Sequence, residues 1–119
     1  MESRAKTIFC DIDGTLVKHN PPTETASEDV ELELLEGTVE KILEWDKKGY
    51  NIILVTGRRE SAREATKKQL SKAGIIYDKL IMGIGGGVRV VINDCKPDGE
   101  DTTLAITVPR NYGIKDIQI

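Results

Sequence analysis

The sequence predicts one α/β domain built on a mostly parallel sheet with helices on both faces. Its 119 residues match the usual length of a single domain, and 39% of them are hydrophobic. Short apolar runs alternate with segments of helical periodicity, which is typical of parallel sheets that are buried on both sides. We find no repeat and no second domain, and therefore expect a single core domain over residues 1–119.

Apolar runs and their stop signals predict the first half of the fold. Thr7–Ile12 is rich in strand formers and ends at a turn, so it is the first predicted strand. An acidic loop over residues 18–36 follows, since two adjacent prolines exclude a helix there. Thr38 is the predicted N-cap of a helix that ends at Gly49 after two lysines.

The second half continues the alternation. Asn51–Thr56 is a second apolar run, and helix formers dominate from Arg58 to Lys72 before a glycine stop. Three further short strands are predicted, at Leu80–Met82, Val88–Ile92 and Leu104–Val108. With these, helices and strands alternate along the chain as an α/β fold requires.

Charge and composition narrow the classes of partner. The net charge of −3 and the pI near 5.2 argue against a nucleic-acid footprint, which needs a clustered basic face. Two cysteines do not make a disulfide framework. No apolar run is long enough to span a bilayer, and the charged start does not resemble a signal peptide. We therefore expect a cytoplasmic protein that binds neither nucleic acid nor membrane.

Polar side chains stand where the predicted strands end. Asp11 and Asp13 follow the first strand, Thr56 ends the second, and Asn93 and Asp94 follow the fourth. In parallel sheets, ligands bind beyond the carboxyl ends of the strands. Converging carboxylates repel each other unless a cation lies among them, and Mg²⁺ prefers such oxygen ligands. We expect Thr56 to open a helix, so that its hydroxyl and the N–H groups that follow hold an anion, and the site suits phosphoryl transfer.

Three segments resemble motifs of the haloacid dehalogenase superfamily of phosphatases. Asp11–Leu16 resembles the first motif, D-x-D-G-T-L, Val55–Arg58 the second, and Ile92–Asp94 the fourth, acidic motif. The resemblance implies a three-layer Rossmann-like sandwich over most of the chain. The compact layout is also similar to a small subgroup of capsule-biosynthesis phosphatases.

The resemblance implies a role for each motif residue. Asp11 would attack phosphorus and form an aspartyl-phosphate. Asp13 would protonate the leaving oxygen and then activate water. Asp11, Asp13 and Asp94 would bind Mg²⁺, while Thr56 and Gly57 would hold phosphoryl oxygens.

The chain departs from the family pattern in two places. The third motif is normally a lysine, and none lies in residues 83–91, so Arg89 and Lys96 are the candidate replacements. We favour Lys96, because it lies at the predicted strand end beside the acidic motif. Asn93 stands where many members have aspartate, and it offers the metal a carbonyl oxygen with less charge. Arg58 either contacts the substrate phosphate or only solubilises a helix start.

The segments that usually carry a cap domain are short here. The stretch between Thr15 and Gly37 is too short for a domain, so we predict no cap and an open pocket. Such a pocket accepts a large or exposed phosphate, or a neighbouring subunit of a homo-oligomer closes it.

The sequence thus predicts a Mg²⁺-dependent phosphomonoester hydrolase that acts on a small phosphorylated substrate, such as a sugar phosphate. Two alternatives remain. A phospho-aspartate signalling module would share the length and the paired aspartates, although its phosphorylated residue would lie on a later strand. A catalytically weak protein that binds phosphate and metal would explain the missing lysine.

Overall fold

A three-stranded parallel sheet lies at the centre of the fold. The computed structural model describes residues 4–21 and 27–119. The strands are β1 (Thr7–Asp11), β2 (Asn51–Val55) and β3 (Lys79–Ile81), in the order β1-β2-β3. Both pairings are parallel, so the three carboxyl ends lie at one edge of the sheet. The predicted α/β class is confirmed.

Two helices connect the strands. Helix α1 (Thr38–Lys47) lies between β1 and β2, and helix α2 (Arg63–Ala73) lies between β2 and β3. The prediction of Thr38 as an N-cap is wrong, because Thr38 is the first helical residue and Gly37 precedes it in a left-handed conformation. The Thr38 hydroxyl is buried and donates to the Leu16 carbonyl at 2.6 Å. It therefore ties α1 to the loop after β1.

Helix α2 begins later than predicted. A short 3₁₀ turn at Glu60–Ala62 precedes it, and residues 57–58 form a bend after β2. The helix ends as predicted at Gly74, whose φ of 77° and N–H close the last turn. The predicted loop over 18–36 includes residues 22–26, which lie outside the described part of the chain. Its described residues contain no regular strand, only a bridge between Val17 and Leu34.

The core packs side chains of β1, β2 and both helices together with the loop after β1 and the C-terminal segment. Its fully buried side chains are mostly branched aliphatics: Ile12, Leu16, Val17, Ile42, Ile52, Leu54, Leu70 and Ile114. Trp45 packs among them from α1 with 1% of its surface exposed. Ile114 reaches this core because the C-terminal segment returns to the start of α1, where the Ile114 N–H donates to the Glu36 carbonyl.

This return brings two backbones into contact at Gly37, which predicts a large stability loss for Gly37→Ala. A Cβ at Gly37 would lie 2.5 Å from the Lys115 Cα, whereas a Cβ at Gly49 would meet nothing within 4 Å. Both glycines have positive φ, so that strain is common to the two variants. We expect Gly37→Ala to lose about 3 kcal/mol of unfolding free energy and Gly49→Ala about 1 kcal/mol. Urea denaturation followed by Trp45 fluorescence measures both, and equal losses would contradict the contact.

The predictions of a fourth and a fifth strand are wrong for the described structure of this chain. Residues 88–92 and 104–108 have no strand structure, and every residue from 83 to 107 is exposed. A further parallel strand must start where the amino ends of the other strands lie, so the chain must first cross back over the sheet. Crossover connections of this kind usually need about a dozen residues or more. Only residues 82–87 separate β3 from the predicted fourth strand. We call residues 83–108 the arm.

Candidate active site

Two aspartates meet at the carboxyl end of β1. Asp11 is the last residue of the strand, and Asp13 follows a fully buried Ile12. Burial and the nearby Asp13 charge raise the pKa of Asp11, while Arg89, the Ile12 N–H and the Thr15 hydroxyl act in the opposite direction. The Asp11 side chain keeps 31% of its surface exposed. It therefore faces solvent in part, although its surroundings disfavour the charged form of the carboxyl group. A cation bound there would relieve this imbalance.

Arg58 holds the second aspartate in a two-point ion pair. Its Nε donates to Asp13 Oδ2 at 2.8 Å, and its Nη2 donates to Asp13 Oδ1 at 2.7 Å. The pair is shielded, with 5% of the Arg58 side chain and 17% of the Asp13 side chain exposed. Such a planar two-bond contact fixes both the position and the orientation of the carboxylate.

Helix α2 completes the support of Arg58. The Arg58 Nη1 donates to Thr66 Oγ1 at 3.1 Å and to Gln69 Oε1 at 2.6 Å. The Gln69 amide in turn donates to the Ser27 carbonyl at 2.7 Å. Arg58 therefore links Asp13 to a helix, which is a role that sequence reasoning missed. The one available signal was Gln69, a polar residue on the predicted buried stripe of this helix.

Thr56 lies directly after β2 but does not open a helix. Its hydroxyl accepts a hydrogen bond from the Arg58 N–H at 3.1 Å, and 1% of its surface is exposed. Because α2 begins only at Arg63, the prediction that a helix dipole acts at Thr56 is wrong. A Cβ at the next residue, Gly57, would lie 2.7 Å from the Gly85 carbonyl oxygen. The absence of a side chain at Gly57 thus lets the start of the arm pack against this turn.

The two candidate cations occupy different places. Arg89 lies beside the first aspartate, with its Nη1 3.7 Å from Asp11 Oδ1. Lys96 lies in a turn of the arm, with its Nζ 3.8 Å from Glu100 Oε1. The geometry therefore favours Arg89 over Lys96 as the replacement for the missing lysine.

The sequence predicted that the acidic motif follows the end of a strand, and this prediction is wrong. Asn93 and Asp94 are exposed on the arm, where the Asn93 amide donates to the Thr102 hydroxyl, which donates to the Asp94 carbonyl. Within residues 4–21 and 27–119 no three acidic, histidine or cysteine side chains come close enough to hold a metal. The metal-ligand roles of Asn93 and Asp94 stay predictions.

The C-terminal segment adds a further contact to the loop after β1. The Asn111 N–H donates to the Gly14 carbonyl at 2.8 Å, and Asn111 Oδ1 accepts from the His19 N–H at 2.8 Å. Asn111 adopts a φ of 64° to do so. The Arg110 Cγ would lie 3.2 Å from a Cβ at Gly14. No local sequence signal links these distant residues.

The family model for the polynucleotide kinase PNKP phosphatase domain matches residues 5–87. The match covers more than half of the chain and includes Asp11, Asp13 and residues 56–58. It stops before Arg89 and the acidic motif at residues 93–94. No curated protein matches the chain.

In the described residues, no helix has the length and hydropathy needed to cross a membrane.

The solved structures that are similar to the chain include two RNA repair complexes and a structural-genomics target. A chain of the Pnkp1/Rnl/Hen1 RNA repair complex is 31% identical over 66% of this chain, with a TM-score of 0.56. A chain of a second Pnkp1/Rnl/Hen1 structure is 29% identical over 73%, with a TM-score of 0.58. This chain spans only 25% and 30% of their respective lengths. A structural-genomics target from Vibrio cholerae is 18% identical over 96% of this chain and 90% of its own, with a TM-score of 0.58, and it shares the fold.

Proposed function

The chain belongs to the family of the polynucleotide kinase PNKP phosphatase domain, within the haloacid dehalogenase superfamily of phosphatases, and we propose that it is a Mg²⁺-dependent phosphomonoesterase. The observation that carries this proposal is the aspartate pair at the end of β1, in which Arg58 holds Asp13 beside a partly exposed Asp11. That arrangement separates one carboxylate that can reach a substrate from one that is fixed to transfer protons.

Asp11 is the proposed nucleophile. One of its oxygens attacks phosphorus and the bond from phosphorus to the leaving oxygen breaks. Asp13 enters this step protonated, with one of its two bonds from Arg58 released, and gives its proton to the leaving oxygen. Asp13 then takes a proton from water, which attacks phosphorus and breaks the bond to Asp11. Phosphate leaves and both carboxyl groups return to their starting states. Thr56 and Gly57 are proposed to hold the phosphoryl oxygens during both steps.

The donors at the site fit Mg²⁺. The Asp11 carboxylate and the Asp13 main-chain carbonyl lie together at the end of β1 and offer oxygen ligands, which this cation prefers. Asn93 and Asp94 would add two further oxygen ligands, but they lie on the arm and would have to be brought to the site. Bound there, Mg²⁺ supplies positive charge against the phosphoryl oxygens. Arg58 is already engaged by Asp13 and α2, so its predicted phosphate contact would require those bonds to break.

Metal removal tests the proposal. We expect the protein to release phosphate from p-nitrophenyl phosphate when Mg²⁺ is present, to stop in excess EDTA and to recover when Mg²⁺ is restored. Trp45 fluorescence run in parallel shows that the fold survives the chelator. Hydrolysis that is indifferent to EDTA would contradict the metal requirement. Binding of beryllofluoride without any turnover would support the catalytically weak alternative.

The place of Arg89 predicts which cation serves the reaction. Because Arg89 lies at Asp11 and Lys96 pairs with Glu100, we expect Arg89→Ala to lower kcat by about 10²-fold, the usual loss of one electrostatic contact in an active site. Lys96→Ala should change kcat by less than about threefold. A larger loss for Lys96→Ala would restore the preference drawn from the sequence.

Two substrate classes are proposed. The likeness to capsule-biosynthesis phosphatases favours a sugar phosphate or a similar phosphorylated metabolite. The match to a polynucleotide kinase phosphatase domain favours a terminal phosphate of a polynucleotide, although the net charge is −3. Comparing kcat/KM for a panel of sugar phosphates with that for oligonucleotides phosphorylated at either end decides between them.

A further inference from the structure

The arm exposes more apolar surface than a folded monomer usually leaves in water. Its large hydrophobic residues are mostly exposed: Val88 by 94%, Val90 by 77%, Val91 by 70%, Ile92 by 91%, Leu104 by 80% and Ile106 by 47%. They occur in two stretches joined by a turn in which the Lys96 N–H donates to the Glu100 carbonyl. Contiguous exposed apolar surface of this kind marks an interaction site.

The molecule is more extended than a compact chain of its length. The radius of gyration is 15.0 Å and the longest dimension is 49 Å, whereas a compact chain of this length has a radius of about 13.5 Å. The glycine-rich start of the arm, residues 83–87, allows its direction to change. The arm is therefore placed to reach a surface beyond its own domain.

The sheet offers such a surface at β1. Among the described residues β1 pairs only with β2, so its other edge is unpaired. Phe9, in the middle of β1, exposes 62% of its surface. Proteins usually cover or pair an open edge that carries an apolar side chain. The same strand ends in Asp11, so whatever covers this edge lies beside the catalytic aspartate.

The active site lacks a group that the arm carries. Asp11 and Asp13 are together, but no third metal-binding side chain joins them in the part of the chain that the structure describes. Asp94 is exposed on the arm, beyond the Arg89 that lies at Asp11 of its own chain. The connection at residues 82–87 is short for a crossover that would pair the arm with its own β1 as a parallel strand.

We propose that the arm of one copy, beyond the Arg89 that stays at its own Asp11, packs against the β1 edge of a second copy and brings Asn93 and Asp94 to that copy's Asp11. The exchange is mutual, because both the arm and the edge belong to the same chain, and it closes as a two-fold symmetric dimer. It covers the valines of the arm and Phe9 together. The assignment of Asp94 to the second copy's site rests on the proposed phosphatase function, whereas the interface does not.

Sedimentation over a concentration series tests the interface without any activity. We expect wild type to be a dimer and Val90→Asp to be a monomer with an unchanged circular dichroism spectrum, since Val90 has 77% of its surface exposed within one chain. Leu43→Asp is the matched control, because it places the same charge at an exposed leucine on α1, and it should remain a dimer. A monomeric wild type would overturn the proposal. A Val90→Asp dimer as stable as the control would overturn it too.

A mixed dimer tests the shared site. Asp11→Asn and Asp94→Asn chains with different tags are co-expressed and purified through both tags. Each homodimer should be inactive, but the mixed dimer has one site with Asp11 from one chain and Asp94 from the other, so it should recover about half the wild-type rate. A mixed dimer as inactive as its parents, beside an active wild type, would overturn the sharing of Asp94. If wild type itself hydrolyses no phosphate, the proposed function fails, and sedimentation still decides the interface.

Discussion

Replacement of Arg58 by alanine is expected to lower the free energy of unfolding by about 3 kcal/mol, because it leaves the shielded Asp13 carboxylate without its partner. The same change removes the hydrogen bonds of the guanidinium to Thr66 and Gln69, so α2 loses its tie to the end of β1. Phosphatase activity should fall as well, because Asp13 loses the contact that orients it. Urea denaturation and steady-state kinetics measure the two effects.

Two further variants separate the ion pair from general effects of charge. Arg59→Ala removes an adjacent, exposed arginine and should change stability by less than about 0.5 kcal/mol. Arg58→Lys keeps the charge but not the two-point geometry, so it should recover only part of the loss. If Arg58→Ala unfolded at the same urea concentration as Arg59→Ala, the ion pair of Arg58 with Asp13 would not stabilise the fold, which would contradict the prediction.

Asp11→Asn is expected to reduce kcat by about 10⁴-fold or more, the scale on which other enzymes respond to loss of a covalent nucleophile. An asparagine keeps the shape of the side chain but cannot form the acyl phosphate. Asp46→Asn is the matched control, since Asp46 is exposed on α1, and it should retain wild-type kinetics. Stability should not fall in Asp11→Asn, because burial and Asp13 raise the pKa of the Asp11 carboxyl and the charge is unfavourable there.

Local patterns predicted the existence of β1, β2, β3 and both helices and the ends of the helices, but not where the helices begin. The three strands are short apolar runs, and the helices end where glycine follows cationic or small residues. The same reasoning failed at Val88–Ile92 and Leu104–Val108, which have the composition of buried strands. Whether such a run joins a sheet depends on the length of its connection and on the edge that is available. Neither can be read from the run itself.

At the candidate active site, local features were again predicted from the sequence, whereas contacts between distant residues were not. The place of Asp11 and Asp13 after the first strand predicted that their carboxylates would converge, and the charge of Asp13 does raise the pKa of Asp11. The ion pair between Arg58 and Asp13 was not predicted, because the two residues are 45 positions apart in the sequence. The helix expected at Thr56 failed for a local reason, since a bend and a 3₁₀ turn come before α2. The preference for Lys96 depended on the fourth strand and is weakened by the absence of that strand.

The central claim is that Asp11 carries the phosphoryl group, and trapping the intermediate tests it most directly. Protein turning over p-nitrophenyl phosphate is quenched and treated with borohydride, which reduces an acyl phosphate to an alcohol, and its peptides are sequenced by mass spectrometry. We predict homoserine at position 11, only in samples that received substrate, with Asp13 unchanged. Homoserine at position 13, or an unmodified Asp11 in a protein shown to be turning over, would contradict the account.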